Sequence, residues 1–478
     1  MSERRCGSYT LGAAPQPGFG ASRDERGCPR GRGRMSFASL VFGVKESTVL
    51  AGSRRVFAEL VRNELRDAEE LERIQTARHL AHIRFAYQHT RFYRDFYSAA
   101  GFTESDLYDP DVITSLPVIE KSHVRDHYAD FVSDESTPKN SARNTTGGST
   151  GEPLKLLRDV RFPARALEWR LFRWWGVRPY DNVAIATRHV KTAEQARRHA
   201  MQWWPSKRIQ INAFDMTRES VTAFVDQWNH VRPNIMIGYV GAIAEFAGMV
   251  QDLGVDIASP RAVGVTAAAL SANQRALIEN VLRTKVYDHY RSSEVPWMAG
   301  ECRHQSGLHV FSDVRALDIV DRNGKSVPRG ELGETAWTDL TNRVFPLIRY
   351  RLGDRTRWLD GVCDCGVSLP RIQAVVGRVV EILHMPDGQL IAGEGLAQIF
   401  SATPDAVKNF QIIQHADFSI EILYVPGHAR DAARDIEDGL VRFRQIVHDK
   451  VPVRGTRVTE IPHVGGKVRY LISNVPVS

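Results

Sequence analysis

A loop rich in glycine and hydroxyl residues, from residue 144 to residue 153, carries the clearest chemical signal in the sequence. It reads Asn-Thr-Thr-Gly-Gly-Ser-Thr-Gly-Glu-Pro, so three glycines and four hydroxyl side chains lie close together. Glycines let the backbone turn tightly around an anion, and the hydroxyl groups donate further hydrogen bonds. Glu152 and Pro153 stand where a Walker A loop has its second glycine and its lysine, which excludes that motif.

We therefore predict a phosphate-binding loop, for which a polar surface turn is the alternative. Its residues are Thr145, Thr146, Gly147, Gly148, Ser149, Thr150 and Gly151.

Four further segments follow this loop along the chain, at residues 290–294, 349–354, 370–378 and 465–469. They contain Tyr-Arg-Ser-Ser-Glu, Arg-Tyr-Arg-Leu-Gly-Asp, Pro-Arg-Ile with Gly-Arg, and Gly-Gly-Lys-Val-Arg. With the loop, they resemble the signature motifs of the adenylate-forming ligases. The chain is similar in particular to the phenylacetate-CoA ligase and CapK branch, from about residue 59 to residue 473. Each motif is weak alone, but five in this order are specific.

The resemblance implies a two-step reaction. A carboxylate attacks the α-phosphorus of Mg-ATP, pyrophosphate leaves, and the acyl-adenylate passes its acyl group to a second nucleophile. The implied catalytic residues are Lys467, which meets the carboxylate and the α-phosphate, and Glu294, which supplies an oxygen ligand for Mg²⁺. Asp354 is implied to bind the ribose hydroxyls. The remaining nucleotide contacts implied are Tyr290, Ser293 and Arg378.

For each of these charged residues taken singly, an ordinary surface charge is the alternative. Two positions also depart from the family pattern. Arg291 replaces the glycine that usually follows the tyrosine, close to the expected adenine or acyl group. Val380 stands where many members have an acidic hinge residue, and Glu381 follows it.

The acyl group is expected to contact Tyr239 and Gly264, since the segment around Tyr239 resembles the acyl-pocket loop of the branch. Aromatic residues flank the first predicted strand and would suit an aromatic or bulky acid. They are Trp169, Phe172, Trp174, Trp175, Trp203 and Trp204. Because aromatic residues at helical spacing often belong to a core, that interpretation stays open.

The resemblance makes CoA the expected acceptor. An amine or hydroxyl acceptor would instead make the protein an amide ligase or an adenylyltransferase. A protein that binds nucleotide without catalysis is the third alternative, motivated by Arg291 and Val380.

The cysteine residues give a separate signal. A single residue separates Cys363 from Cys365, and Cys302 with His309 could complete a tetrahedral zinc site. His304 is the other candidate for the fourth ligand, but the turn around His309 resembles the pattern of the branch. Three buried cysteines without a metal are the alternative. So few cysteines suit a reducing cytoplasm, where we expect the protein to reside.

Hydrophobic patterning indicates the elements that must position these residues. Short apolar runs at 183–186, 235–238, 262–265 and 285–287 alternate with helical segments, which predicts an α/β fold. The sequence after residue 53 is helical. In such sheets, ligands bind at the carboxyl ends of the strands.

We predict two domains from the length and the resemblance. A large N-terminal adenylation domain with layered sheets and helices would span residues 35–378. A small α+β lid would span residues 379–478, with strands at 412–414 and 420–425, a helix at 433–447, and Lys467 on a loop near the end.

Residues 1–34 hold seven arginines against three acidic residues, and thus much of the formal net charge of +7. We predict a disordered tail or a start assigned too early, with Met35 as the true N-terminus. The remaining charge is small, so a nucleic-acid partner is not expected. Nor is a membrane partner, since no apolar run is long enough for a membrane helix. The expected partners are a small carboxylic acid and a nucleotide, and a homodimer is left open.

Overall fold

The structure of the protein is a computed structural model. It describes residues 36–146, 154–187, 193–213, 216–270, 272–375, 382–392, 396, 399, 406–427, 432–461 and 471–475.

The chain begins with a group of helices. Asp67 and Thr90 start the third and fourth of them, because each side chain accepts a hydrogen bond from a backbone N–H in the first turn. The helices are α1 (Phe37–Ser47), α2 (Ala51–Asn63), α3 (Ala68–His89), α4 (Arg91–Ala99), α5 (Val112–Ser115), α6 (Lys121–Asp126) and α7 (Tyr128–Phe131). A 3₁₀ helix, Asp106–Tyr108, lies between α4 and α5. The helical prediction for this region is confirmed.

An antiparallel hairpin follows, formed by β1 (Ser141–Thr145) and β2 (Lys155–Asp159), and then helix α8 (Arg165–Trp174). The hairpin holds the glycine-rich loop between its two strands.

A parallel sheet forms the centre of the chain. Its strands are β3 (Val183–Thr187), β4 (Arg208–Asn212), β5 (Ile235–Tyr239), β6 (Ala262–Thr266) and β7 (Val286–Tyr290). The intervening helices are α9 (Ala193–Trp203), α10 (Arg218–Val231), α11 (Val240–Leu253) and α12 (Ala272–Leu282). β6 is buried along its whole length, as expected for a strand covered on both faces. The predicted α/β fold is confirmed.

Antiparallel strands extend this sheet beyond β7. They are β8 (Ala299–Glu301), β9 (Leu308–Val310), β13 (Trp358–Leu359) and β14 (Arg371–Ile372), in the order β13-β14-β9-β8-β7-β6-β5-β3-β4. A separate sheet contains β10 (Arg315–Val320), β11 (Gly333–Asp339) and β12 (Tyr350–Thr356). The predicted nucleotide motifs in the described residues therefore lie on three sheets, namely the β1-β2 hairpin, the large sheet and this three-stranded sheet.

The C-terminal region has its own hydrophobic cluster, which includes Phe410, Ile412, Ile422 and Phe443. Its strands are β15 (Ile382–His384), β16 (Leu390–Ala392), β17 (Val407–Gln414), β18 (Ile420–Pro426), β19 (Val453–Arg457) and β20 (Leu471–Ser473), with helix α13 (Ala432–Ile446). The strands and the helix predicted here are confirmed. The position of the domain boundary stays a prediction.

Across the described ranges, every helix is too short or too polar to cross a membrane.

Candidate functional site

The glycine-rich loop is closed at its base by main-chain and side-chain hydrogen bonds. The N–H of Thr146 donates to the carbonyl of Leu154 at 3.0 Å, and the N–H of Leu154 donates to the Thr146 hydroxyl oxygen at 2.9 Å. Thr146 is buried, while Thr145 is half-buried. The hydroxyl oxygen of Thr146 thus holds the two ends of the loop together. The other predicted loop residues, Gly147 to Gly151, lie outside the described residues.

One hydrogen bond joins this loop to the turn that follows β7. The Asn144 side-chain amide donates to the carbonyl of Ser293 at 2.8 Å. That turn is closed in itself, because the N–H of Val295 donates to the Ser292 hydroxyl at 2.9 Å. Asn144 and Ser293 are 149 positions apart in the sequence, so two distant motifs are neighbours in space. Asn144 was not predicted as a site residue, although it begins the glycine-rich segment.

A second hydrogen bond joins the same turn to β12. The Tyr290 hydroxyl donates to Asp354 Oδ2 at 2.6 Å. Burial raises the pKa of Tyr290 well above its ordinary value, and the Asp354 carboxylate acts in the same direction, so the phenol keeps its proton. The ring of Tyr290 meets that of Trp337 edge-on, with centroids 5.7 Å apart. Asp354 is thereby held at the carboxyl end of β7.

Glu294 is half-buried at the rim of the same turn. It lines a small pocket together with Asn144, Ser293 and Asp339. A carboxylate in this position is a hard oxygen donor beside the base of the glycine-rich loop, the chemistry that Mg²⁺ requires.

Tyr239 and Gly264 lie on adjacent parallel strands, β5 and β6. Tyr239 ends β5 and precedes α11, so it lies at the carboxyl edge of the sheet. Gly264 is buried within its strand, and a Cβ there would come within 2.8 Å of the Trp175 ring. This glycine therefore makes room for Trp175. Trp169, Phe172, Trp174 and Trp175 are all buried, which supports the core interpretation of these aromatic residues.

Two predicted site residues, Arg378 and Lys467, lie outside the described residues, as does the hinge position Val380. The neighbouring motif residue Arg349 is buried and donates to the Asp318 carboxylate at 2.5 Å. This ion pair ties the residue before β12 to β10.

The predicted metal ligands Cys302, His309, Cys363 and Cys365 form one cluster. All four potential ligand atoms lie within 4.8 Å of one another. Sγ of Cys302 is 3.7 Å from Sγ of Cys363, and Sγ of Cys365 is 3.4 Å from Nε2 of His309. A tetrahedral site with metal–ligand bonds of about 2.0–2.3 Å has edges of about 3.5–3.8 Å. These two separations match the edges of a tetrahedral metal centre, and all the other pairs lie within 4.8 Å.

His309 has the proton arrangement of a metal ligand. Its Nδ1 lies 2.8 Å from the carbonyl of Leu369, so Nδ1 carries the proton and Nε2 presents its lone pair to the cluster. Burial lowers the pKa of His309 to about 4, which keeps the ring neutral. His304, the alternative ligand, is exposed and lies outside the cluster.

A buried ionic network that the sequence did not reveal supports this centre. The guanidinium of Arg170 makes two hydrogen bonds to the Asp313 carboxylate, at 2.9 and 2.7 Å. Arg170 also lies 3.6 Å from Glu64, whose main-chain carbonyl accepts a hydrogen bond from the Ser368 hydroxyl at 2.8 Å. Ser368 is three residues after Cys365. The network thus connects α2 and α8 to the loop that carries Cys363 and Cys365.

The chain is similar to known proteins both in sequence and in fold. No family model matches the chain. A phenylacetate-coenzyme A ligase of Thermus thermophilus is 23% identical over 365 residues, covering 74% of this chain and 80% of the relative. The enzyme of the same name from Escherichia coli is 25% identical over 330 residues, covering 67% and 74%.

Two structures of 2-hydroxyisobutyryl-CoA ligase share the fold. One, with 2-HIB-AMP and CoA in the thioesterification state, has a TM-score of 0.61 at 19% identity and covers 87% of this chain and 92% of its own. Another, in the postadenylation state with R3-HIB-AMP, has a TM-score of 0.58 at 18% identity and covers 86% and 91%. The chain therefore has the fold of the adenylate-forming acyl-CoA ligases and is similar in sequence to the phenylacetate-CoA ligases, which confirms the resemblance carried by its five motifs.

Proposed function

We propose that the protein activates a carboxylic acid with ATP and transfers the acyl group to CoA. The observation that carries this proposal is the pair of hydrogen bonds, Asn144 to Ser293 and Tyr290 to Asp354, which brings three motifs together at the carboxyl end of β7. The similarity to phenylacetate-CoA ligases and the shared fold support it.

In the first step, a carboxylate oxygen of the substrate forms a bond to the α-phosphorus of ATP, and the bond to pyrophosphate breaks. We assign the ribose hydroxyls to Asp354, because a carboxylate can accept two hydrogen bonds from a diol. Tyr290 orients that carboxylate and is a positioning residue. Thr145, Thr146 and the loop 147–151 are assigned to the phosphates, and Arg378 to the nucleotide.

Magnesium would be held by Glu294, whose carboxylate lies beside the base of the glycine-rich loop. When bound, the ion would neutralise charge on the phosphates. Lys467 would place its ammonium group near the carboxylate and the α-phosphate, where negative charge develops. Removing a positioned donor of this kind typically costs about 3–4 kcal/mol in transition-state stabilisation.

In the second step, the CoA sulfur forms a bond to the acyl carbon, and the bond to AMP breaks. We propose that a mobile C-terminal domain, starting near residue 379, brings Lys467 to the site for the first step. Tyr239, at the edge of the parallel sheet, and Gly264 are proposed to border the acyl group, and we expect an aromatic acid. We also expect the protein to act in the cytoplasm.

We propose zinc for the Cys302, His309, Cys363 and Cys365 cluster, because three sulfur donors and one nitrogen donor suit Zn²⁺. The four protein ligands would fill every position of a tetrahedral ion and leave none for substrate. The role proposed for the metal is therefore structural.

The test is product analysis of the purified protein with ATP, Mg²⁺, CoA and a panel of carboxylic acids. We expect AMP and pyrophosphate in equal amounts, and an acyl-CoA thioester in the mass spectrum. If added amines gave an acyl amide and no thioester formed, the acceptor would be an amine and the protein an amide ligase. ATP binding without AMP formation for any acid would contradict the proposed activity.

A further inference from the structure

Arg291 stands directly after Tyr290, at the carboxyl end of β7. Tyr290 donates a hydrogen bond to Asp354, so the adjacent backbone of Arg291 is part of the proposed nucleotide site. Its side chain is exposed. A glycine at this position would leave open space, whereas here a cation projects from the rim of the site.

A stack of rings fixes the position of the guanidinium. Cζ of Arg291 lies 4.6 Å from the centroid of the Trp297 ring, which is itself stacked on His289 with centroids 5.3 Å apart. His289 is buried, and burial lowers its pKa to about 3, so the imidazole is neutral and adds no repulsion to Arg291 at physiological pH. A cation on an indole face is held in place before any ligand arrives. The stack therefore preorganises Arg291.

The charges around Arg291 leave an excess of positive charge. Glu168 interacts electrostatically with three guanidinium groups, those of Arg165, Arg208 and Arg291. Arg158 adds a further repulsive charge near Arg291. Among the described residues, Glu168 is the carboxylate that acts on Arg291, and it is shared with the other two guanidinium groups. The Glu168 carboxylate is thus shared among three guanidinium groups, which leaves net positive charge around Arg291 for an anionic ligand.

The surroundings of Arg291 also favour an anionic ligand. The protein mass around the side chain lowers the pKa of Arg291 by desolvation, although solvent still reaches the guanidinium. Partial desolvation together with solvent access is typical of a side chain inside an open cleft. An anion in such a cleft gains more from a cation than it would at an open surface, because less water screens the two charges.

The position of Tyr239 shows which part of the substrate Arg291 faces. Tyr239 is among the groups that interact electrostatically with Arg291. It ends β5, two strands away from β7 along the sheet, and is the residue proposed to border the acyl group. Arg291 therefore lies between the nucleotide contacts of β7 and the acyl side of the site.

We propose that Arg291 recognises a second anionic group on the carboxylic acid, so that the substrates of this protein are acids with an additional carboxylate. This inference rests on the proposed acid activation. The planar guanidinium can donate two parallel hydrogen bonds to a carboxylate, a geometry that a neutral substituent does not satisfy. Arg291 is thus a specificity-determining residue.

The test compares matched acids with and without the second carboxylate, namely carboxyphenylacetate isomers against phenylacetate, and glutarate against valerate. The readout is kcat/KM for acid-dependent AMP formation. We expect the wild type to favour the best diacid at least about tenfold, as for a hydrogen bond between charged groups. Arg291→Gly should lower this preference to a ratio of about one, chiefly because KM for the diacid rises. Arg291→Lys should restore part of the preference.

Arg329→Gly is the matched control, because Arg329 also lies over an indole ring, that of Trp358 at 5.5 Å. It should leave the ratio unchanged. Circular dichroism and ATP binding check that each variant is folded. An equal diacid-to-monoacid ratio in the wild type and in Arg291→Gly overturns the assignment of Arg291 but leaves acid activation intact.

A rise in KM for ATP or CoA in Arg291→Gly, with an unchanged ratio, would assign the guanidinium to a phosphate and overturn the proposal in the same way. Failure of the wild type to form AMP with any acid would instead overturn the proposed function, and the role of Arg291 with it.

Discussion

At the scale of single residues, the contact between Tyr290 and Asp354 is the centre of the proposed nucleotide site. The carboxylate accepts a hydrogen bond from the half-buried Tyr290, whose raised pKa keeps the phenol proton in place. Asp354 is only half-buried, so solvent-borne ligands can reach this side chain. The phenol therefore restricts the carboxylate to one orientation before ATP binds, which lowers the entropic cost of binding.

We predict that Tyr290→Phe raises KM for ATP by about tenfold or more, since a hydrogen bond to a charged group contributes about 1.5–3 kcal/mol. The substitution keeps the ring and its contact with Trp337. Steady-state kinetics with varied ATP measures the effect. Tyr108→Phe is the control, because Tyr108 is exposed. An unchanged KM for ATP in Tyr290→Phe would mean that the hydroxyl does not serve the nucleotide site.

At the scale of elements, the cysteine and histidine cluster ties separate parts of the sheet together. Cys302 follows β8, His309 lies on β9, and Cys363 and Cys365 belong to the loop before β14. β14 pairs with β9 through only two residue pairs. A bound metal would hold this short strand and its loop on the edge of β9.

We predict about one zinc ion per chain in the wild type, and its loss in His309→Ala, as expected for a four-ligand structural site. The melting temperature should fall with the metal. Elemental analysis and differential scanning calorimetry measure both quantities. His304→Ala is the matched control, since His304 is nearby in sequence but exposed and outside the cluster. A wild-type protein that contains no zinc and is fully stable would contradict the structural metal site.

Elements with strong local signals were predictable from the sequence. The buried runs of β3, β5 and β6 are apolar and flanked by helical segments, and they were placed to within one residue at their ends. The lid strands and α13 were found for the same reason. The juxtaposition of Cys302, His309, Cys363 and Cys365 was also predictable, because cysteine and histidine at these positions suggest a shared centre, and the structure brings all four together. That they bind a metal stays a prediction.

Contacts across long sequence separations were not predictable. Arg170 and Asp313 are 143 residues apart and neither lies in a motif, so nothing local indicates that they pair in the core. The close approach of Trp175 to Gly264 was likewise not predictable, because the two residues lie on separate elements, whereas the predicted contact of Gly264 with the substrate stays a prediction. The hydroxyl of Thr146 accepts a hydrogen bond within the hairpin, a role that depends on the register of β1 and β2.

At the scale of the whole molecule, the proposed reaction needs groups from both ends of the chain. The proposed nucleotide-binding residues that the structure describes belong to β7, β12 and the hairpin of β1 and β2, whereas Lys467 belongs to the C-terminal region. The Gln389 amide lies 3.4 Å from the Glu245 carboxylate, which joins the hairpin of β15 and β16 to α11. Burial raises the pKa of Glu245 to about 7.

The most direct test of the account is carboxylic-acid-dependent exchange of labelled pyrophosphate into ATP, which reports adenylate formation without any acceptor. The panel contains aromatic acids, diacids, fatty acids and amino acids. We predict exchange with at least one acid, and a loss of about 100-fold in Lys467→Ala, as for removal of a positioned transition-state donor. Lys450→Ala is the control, because Lys450 pairs with Asp387 at 2.5 Å at the surface.

Exchange that disappears in Lys467→Ala and persists in Lys450→Ala would establish an adenylate-forming enzyme and identify its acid. Undiminished exchange in Lys467→Ala would contradict the role of that lysine. Absence of exchange with every acid, in a protein that binds ATP, would contradict the central claim.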